Sequence, residues 1–135
     1  MSKVINFKNA ELKSISDFLF SLKLVGRASR GRNKLLVEME RKAEAFYTDL
    51  RELREECYQK NNESGKSELK ENFTADDVDR KVNEVGQDLA GVNIDEFSDK
   101  IKALYQALDE YPEKLEGLDA VCYDRLMDLL EEIEF

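Results

Sequence analysis

The sequence predicts a mainly α-helical protein, a small helical bundle built around one long helix at about residues 33–60, with a short two-stranded β element as an alternative for part of the chain. Three observations predict it. Residues 33–60, NKLLVEMERKAEAFYTDLRELREECYQK, contain no Gly or Pro and consist largely of good helix formers. Their apolar positions Leu36, Met39, Ala43, Phe46, Leu50, Leu53 and Cys57 alternate steps of three and four, the spacing of one narrow buried stripe. The charged fraction of 38%, with one Pro and six Gly, suits a solvated helical chain better than a β-sandwich. At 1.5 Å per residue the long helix would run roughly 42 Å, so other helices or a second copy must lie along it.

The elements follow in order. Residues 1–8 include Val4, Ile5 and Phe7 and form either an extended arm or a short strand. Asn9 offers an N-cap for a first helix to about Leu24, with Leu12, Ile15, Phe18, Leu19, Leu22 and Val25 as its apolar face and Gly26 as its stop. The short connection GRASRGR then folds the long helix back antiparallel, giving a helical hairpin over 9–60. From 61 to 72 the apolar pattern lapses and polar turn residues predict a flexible loop.

Order resumes in an acidic C-terminal part, residues 73–135, of what reads as one domain. Thr74 caps a helix carrying Val78, Val82, Val85 and Leu89, and Phe73 staples onto Val78. Gly86 and the valines weaken that helix, so the stretch to Ile94 has an alternative as a strand paired with residues 4–7. Asn93 starts the next helix, with Val92 stapled on Phe97 and a seam at Phe97, Ile101, Leu104, Leu108 and Tyr111 that ends before Pro112. The last helix starts at Asp119 and buries Cys122, Leu126, Leu129 and Ile133.

Chemistry is indicated mainly by what the composition lacks. With no His, Ser-His-Asp and Cys-His relays and His-ligated metals are unavailable, and no Gly-rich phosphate loop occurs. Carboxylates at Asp124, Asp128, Glu131 and Glu132, or at Asp76, Asp77 and Asp79, share helix faces as any solvated helix does, so neither a metal site nor a catalytic residue nor a cofactor is expected. Cys57 and Cys122 read as two buried free thiols. Without a signal peptide or a membrane-length apolar run, the expected location is the cytoplasm.

Charge supplies the candidate sites. Residues 1–92 carry 17 basic and 17 acidic side chains, whereas residues 93–135 carry 4 and 13 and account for the net charge of −9. Lys23, Arg27, Arg30, Arg32 and Lys34 form the opposite pole, suited to carboxylate or phosphate groups, or else pairing inside the molecule with the acidic C-terminal helix. Asp119, Asp124, Asp128, Glu131, Glu132 and Glu134 form the acidic face, which could present carboxylates in place of nucleic-acid phosphates. The basic stretch lacks aromatics for stacking bases and the molecule is acidic overall, so nucleic acid is an unfavoured partner.

Residues 18–42, FLFSLKLVGRASRGRNKLLVEMERK, and residues 116–134, EGLDAVCYDRLMDLLEEIE, resemble a family of small uncharacterised proteins encoded by tailed phages and prophages of low-GC Gram-positive bacteria. Leu24, Gly26, Ser29 and Arg32 approximate that family's turn between a short apolar helix and a long charged one. The resemblance covers about a third of the chain and implies origin rather than mechanism: synthesis in an infected bacterial cell, and a role in virion assembly or in blocking a host protein. Three functions follow as expectations. They are a protein-interaction module, with a homodimer among its options; an acidic inhibitor of a host nucleic-acid-acting or defence enzyme; and, third, nucleic-acid binding through Arg27, Arg30 and Arg32.

Overall fold

The computed structural model describes residues 2–135, so Met1 of the N-terminal arm lies outside the described residues. The protein is mainly helical. Residues 5 and 7 of the arm alternate inward, and the arm is a strand, β1 (Val4–Lys8), one face of which is buried. A single 3-10 turn at Asn9–Glu11 leads into α1 (Leu12–Ser21), whose Leu12, Ile15, Phe18 and Leu19 are buried as their spacing predicts.

The long helix is α2 (Gly26–Cys57), 32 residues or about 48 Å. It begins seven residues before the expected start and ends three earlier. Helix α1 stops at Ser21, and GRASRGR is not the connection; it forms the first two turns of α2. Gly26 starts the long helix rather than ending the short one, at a φ of +59° that suits glycine. The linker is therefore 22–25, and α1 packs back along α2.

Burial along α2 divides into two parts. Ala28, Gly31, Leu35 and Met39 enter the main core, whereas Leu53 and Cys57 join Val78 in a second, small cluster with Tyr58, Leu69 and Phe73 at its edge. Of the seven expected stripe positions, Met39, Leu53 and Cys57 are buried; Leu36 and Ala43 flank the main core, and Phe46 and Leu50 belong to neither cluster. The stripe fails in its middle because α1 reaches only so far. Arg32 contacts its C-terminal end and Ser16 lies against Met39, so ten residues of α1 are spent by about Ala43.

After α2 the stretch expected to be a loop carries a hairpin, β2 (Tyr58–Lys60) against β3 (Ser67–Leu69), turned by Asn61, whose side chain accepts from the amides of Glu63 and Ser64. Thr74 then caps α3 (Ala75–Gln87) in a reciprocal pair: its hydroxyl accepts from the Asp77 amide at 3.1 Å, and the Asp77 carboxylate accepts from the Thr74 amide at 3.0 Å. Both readings of the 73–94 stretch hold in part, because α3 gives way to β4 (Leu89–Asn93). That strand pairs antiparallel with β1, Ile5 opposite Val92 and Phe7 opposite Ala90, with all four side chains buried.

Helix α4 (Ser98–Asp109) follows a 3-10 turn and buries Ile101, Leu104 and Leu108, ending before the expected Tyr111 limit. Helix α5 (Gly117–Glu131) starts two residues before Asp119 and buries Cys122, Leu126, Met127, Leu129 and Leu130, while Ile133 sits partly covered beyond its end. The main core thus lies between the β1–β4 ribbon and helices α1, α2, α4 and α5. Among the described residues no helix is long and apolar enough to cross a membrane.

Candidate functional site

The basic pole separates into distinct roles. Arg32 is a structural residue: its Nη1 donates to the carbonyls of Leu19 at 3.0 Å and Leu22 at 2.9 Å, closing the C-terminal end of α1 where carbonyls lack helical partners. Its Nε and Nη2 donate to Asn33 Oδ1 and Ser29 Oγ, so the whole guanidinium is engaged. Lys23 pairs with Glu113 at 3.2 Å, in the connection between α4 and α5, and its amide donates to the Tyr111 hydroxyl. Arg27, Arg30 and Lys34 are exposed on the first turns of α2, and none of them forms an ion pair among the described residues. Arg27 and Arg30 border a shallow depression with Asp99 and Lys100.

The expected pairing of Arg27, Arg30 and Arg32 with the acidic helix is absent. The ion pair that joins α5 to the N-terminal part is made by the one cation of that helix. Arg125 donates twice to Glu11, at 2.8 and 3.1 Å, with the Glu11 side chain 19% exposed. That hydrogen bonding with Glu11 raises the Arg125 pKa, against a smaller effect of burial in the other direction.

On the acidic pole, Asp119, Asp124, Asp128, Glu131, Glu132 and Glu134 are all exposed and make no ion pair among the described residues. Asp124, Asp128 and Glu131 lie on one line of α5. Their charge is felt by the tyrosines beneath: desolvation, then Glu131 and Asp109, pushes the Tyr105 phenol up, and burial, then Asp109 and Asp124, does the same to Tyr123. Tyr123 donates its hydroxyl proton to the Leu108 carbonyl at 2.6 Å, anchoring α5 on α4. Among the described residues no three carboxylates or thiols converge in a way that could hold a metal. Both cysteines are buried and free, and burial, reinforced by Asp119, pushes the Cys122 thiol up and away from nucleophilic chemistry.

A third surface carries no overall charge bias and was not legible as a site. Between α1 and α2 a groove opens, lined by Lys13, Ser16, Asp17 and Phe20 of the first helix and by Leu36, Glu40, Ala43 and Tyr47 of the second. Phe20 is 79% exposed and Tyr47 49%, both large for aromatic rings on a folded surface. The Tyr47 ring lies 5.9 Å from that of Phe46, extending the apolar strip along the uncovered middle of α2. The available signal was phase. Phe20 falls off the Leu12, Ile15, Phe18, Leu19, Leu22 face of α1, and Tyr47 falls beside the stripe of α2.

No protein-family model matches the chain, and neither a curated protein nor a solved structure matches it significantly.

Proposed function

We propose that this chain is a small, non-catalytic helical protein-interaction module of phage origin, acting as an accessory or assembly factor or as a binder of a host protein in the cytoplasm of an infected bacterial cell. The observation that carries the interaction reading is the groove along α1 and α2, with two aromatic rings held out to solvent at Phe20 and Tyr47. Exposed aromatics on a rigid helical surface provide contact area at small entropic cost, which is how binding surfaces concentrate their energy. The phage origin rests on the resemblance at residues 18–42 and 116–134.

The test places a photo-crosslinking amino acid at position 47 or position 20 in cells. A discrete adduct is expected, and Phe20→Asp should remove it without lowering thermal stability, since this ring contributes little to the core. Absence of any adduct from either position refutes the reading.

A second reading has its own support. Six exposed carboxylates on and just after α5 without ion-pair partners suit an inhibitor that presents phosphate-like charge to a basic host enzyme. Such a complex should weaken steeply with salt, whereas one through the groove should not. Nucleic-acid binding ranks third, because Arg32 is committed to α1 and only Arg27, Arg30 and Lys34 are left for phosphates; no gel shift is expected at physiological salt.

A further inference from the structure

The uncovered middle of α2 has the pattern of a helix that pairs with itself. From Leu36 onward, one line along the helix reads Leu36, Glu40, Ala43, Tyr47, Leu50 and Arg54, in steps of four and three. The spacing is that of a heptad seam, with Glu40 and Arg54 charged. The seam shares Leu36, Ala43 and Leu50 with the expected stripe, and of these Leu36 and Ala43 pack at the edge of the main core. Its central residues Tyr47 and Leu50 join neither buried cluster. Beside the seam, on the same edge and seven residues apart, stand Glu44 and Arg51. Both are exposed and neither makes an ion pair among the described residues; Arg51 donates only to Thr48 Oγ1, at 3.3 Å.

That edge is self-complementary in one orientation. In an antiparallel helix pair, residues on one edge of the seam face the same edge of the partner. A two-fold axis between Thr48 and Asp49 sets Tyr47 against Leu50 of the second copy, twice, and brings Glu44 beside Arg51 of the second copy, also twice. The stem of Arg54 then covers Ala43, the smallest seam residue. A parallel pair would instead set that edge against the opposite edge of the partner, Glu44 beside Met39 and Arg51 beside Phe46, and would form neither ion pair. Isologous contact across a two-fold also closes, leaving no free copy of the surface to propagate.

We propose that a second copy of this chain is the occupant of this face, docked antiparallel through α2 with Tyr47 and Leu50 at the centre and Glu44–Arg51 ion pairs on either side. The proposal rests on the interaction reading above and specifies its partner.

The experiment is a charge swap on the intact chain, read by sedimentation velocity over a wide concentration range. Wild type should move from 15.6 kDa at low concentration to twice that mass at high concentration. Glu44→Arg alone and Arg51→Glu alone should each self-associate about tenfold or more weakly, since each opposes like charges twice. Mixing the two variants should restore association as a one-to-one heterodimer, which also shows that both variants fold. Tyr47→Asp should give a monomer.

A wild-type monomer at every concentration overturns the proposal, as does a dimer indifferent to Glu44→Arg, Arg51→Glu and Tyr47→Asp. Parallel pairing is excluded or established by single cysteines at position 43, a seam position that a parallel pair sets against itself: they should not crosslink to each other, and efficient crosslinking there overturns the antiparallel arrangement. The broader reading fails separately, only if crosslinkers at positions 20 and 47 also capture no other protein.

Discussion

Gly31→Ala separates the structure from any reading of GRASRGR as a flexible connection. In a connection, replacing Gly by Ala is neutral or slightly stabilising, and inside an exposed helix it should gain about 1 kcal/mol of propensity. Gly31 is instead a buried residue of α2 facing α4, and a Cβ placed on it would lie 2.8 Å from the carbonyl carbon of Lys100 and closer still to its oxygen. The obstacle is backbone in the first turn of α4, which cannot turn aside as a side chain can. Overpacking a well-filled contact costs roughly 1–3 kcal/mol, and a rigid neighbour places this site at the upper end. Subtracting the helical gain leaves a net loss of about 2 kcal/mol, or a melting temperature lower by roughly 5–10 °C for a domain of this size. Gly86→Ala is the matched control: its Cβ would meet only the Ala10 methyl, at 3.2 Å, and a near-neutral melt is expected. Thermal unfolding followed by circular dichroism decides. A Gly31→Ala melt equal to or above wild type would refute the close packing of α2 on α4.

Four further outcomes follow. Leu35→Ala, at a fully buried position, should cost about 2–5 kcal/mol in urea unfolding, while Leu50→Ala, half-covered between the two clusters, should cost about 1 kcal/mol or less. Arg32→Lys should lose about 1–2 kcal/mol because an ammonium cannot bridge the Leu19 and Leu22 carbonyls as the guanidinium does, whereas Arg27→Ala with Arg30→Ala should stay within about 0.5 kcal/mol. The Thr74 backbone and side-chain hydrogen bonds, then Arg80, hold the Asp77 carboxyl below its ordinary 3.8, so its contribution is present above that range and lost as pH falls through the lowered value; Asp77→Asn should flatten that acid limb of a stability profile. Cys57 and Cys122 should resist a thiol reagent in the native state and react only on unfolding.

The parts of the fold legible beforehand are those governed by local rules. Thr74 and Asp77 announce a cap by their spacing, Phe73 its staple, and Leu12 to Leu19 an apolar face, and each of these is a contact within a few residues. The start of α2 escaped for a physical reason. Two glycines and a run of cations argue for a turn on propensity alone, yet Gly31 is helical because α4 approaches too closely for any side chain, a requirement set by residues about seventy positions away. The same holds for the strand at Leu89–Asn93, whose hydrogen-bonding partner is the N-terminal arm. Periodicity marked Met39, Leu53 and Cys57 of α2 and missed the fully buried Leu35, choosing its neighbour Leu36 instead. It did not show that Phe46 and Leu50 would lack a cover, because the reach of α1 depends on where α1 stops.

The charged candidates were legible as a composition and illegible as a site for a related reason. Clustering in sequence says that cations are near one another, but not what each is near in space. Arg32 stands in a row with Arg27, Arg30 and Lys34, and its side chain turns inward to two carbonyls that lack an i+4 helical amide because α1 ends at Ser21. Arg125 is the lone cation of an acidic helix and had no claim on attention, yet it makes the bidentate pair with Glu11 that ties that helix to the first turn of the chain. Removing all three arginines at 27, 30 and 32 would therefore destabilise the protein even if none of them touched a partner, and the loss would be mistaken for neutralisation of α5. The two causes respond differently to salt. Loss of the Arg32 bridges is local and should be nearly independent of ionic strength, whereas relief of carboxylate repulsion would fade as salt rises. A stability loss in Arg32→Ala that is the same at low and high salt, and absent from Arg27→Ala with Arg30→Ala, assigns the effect to the end of α1.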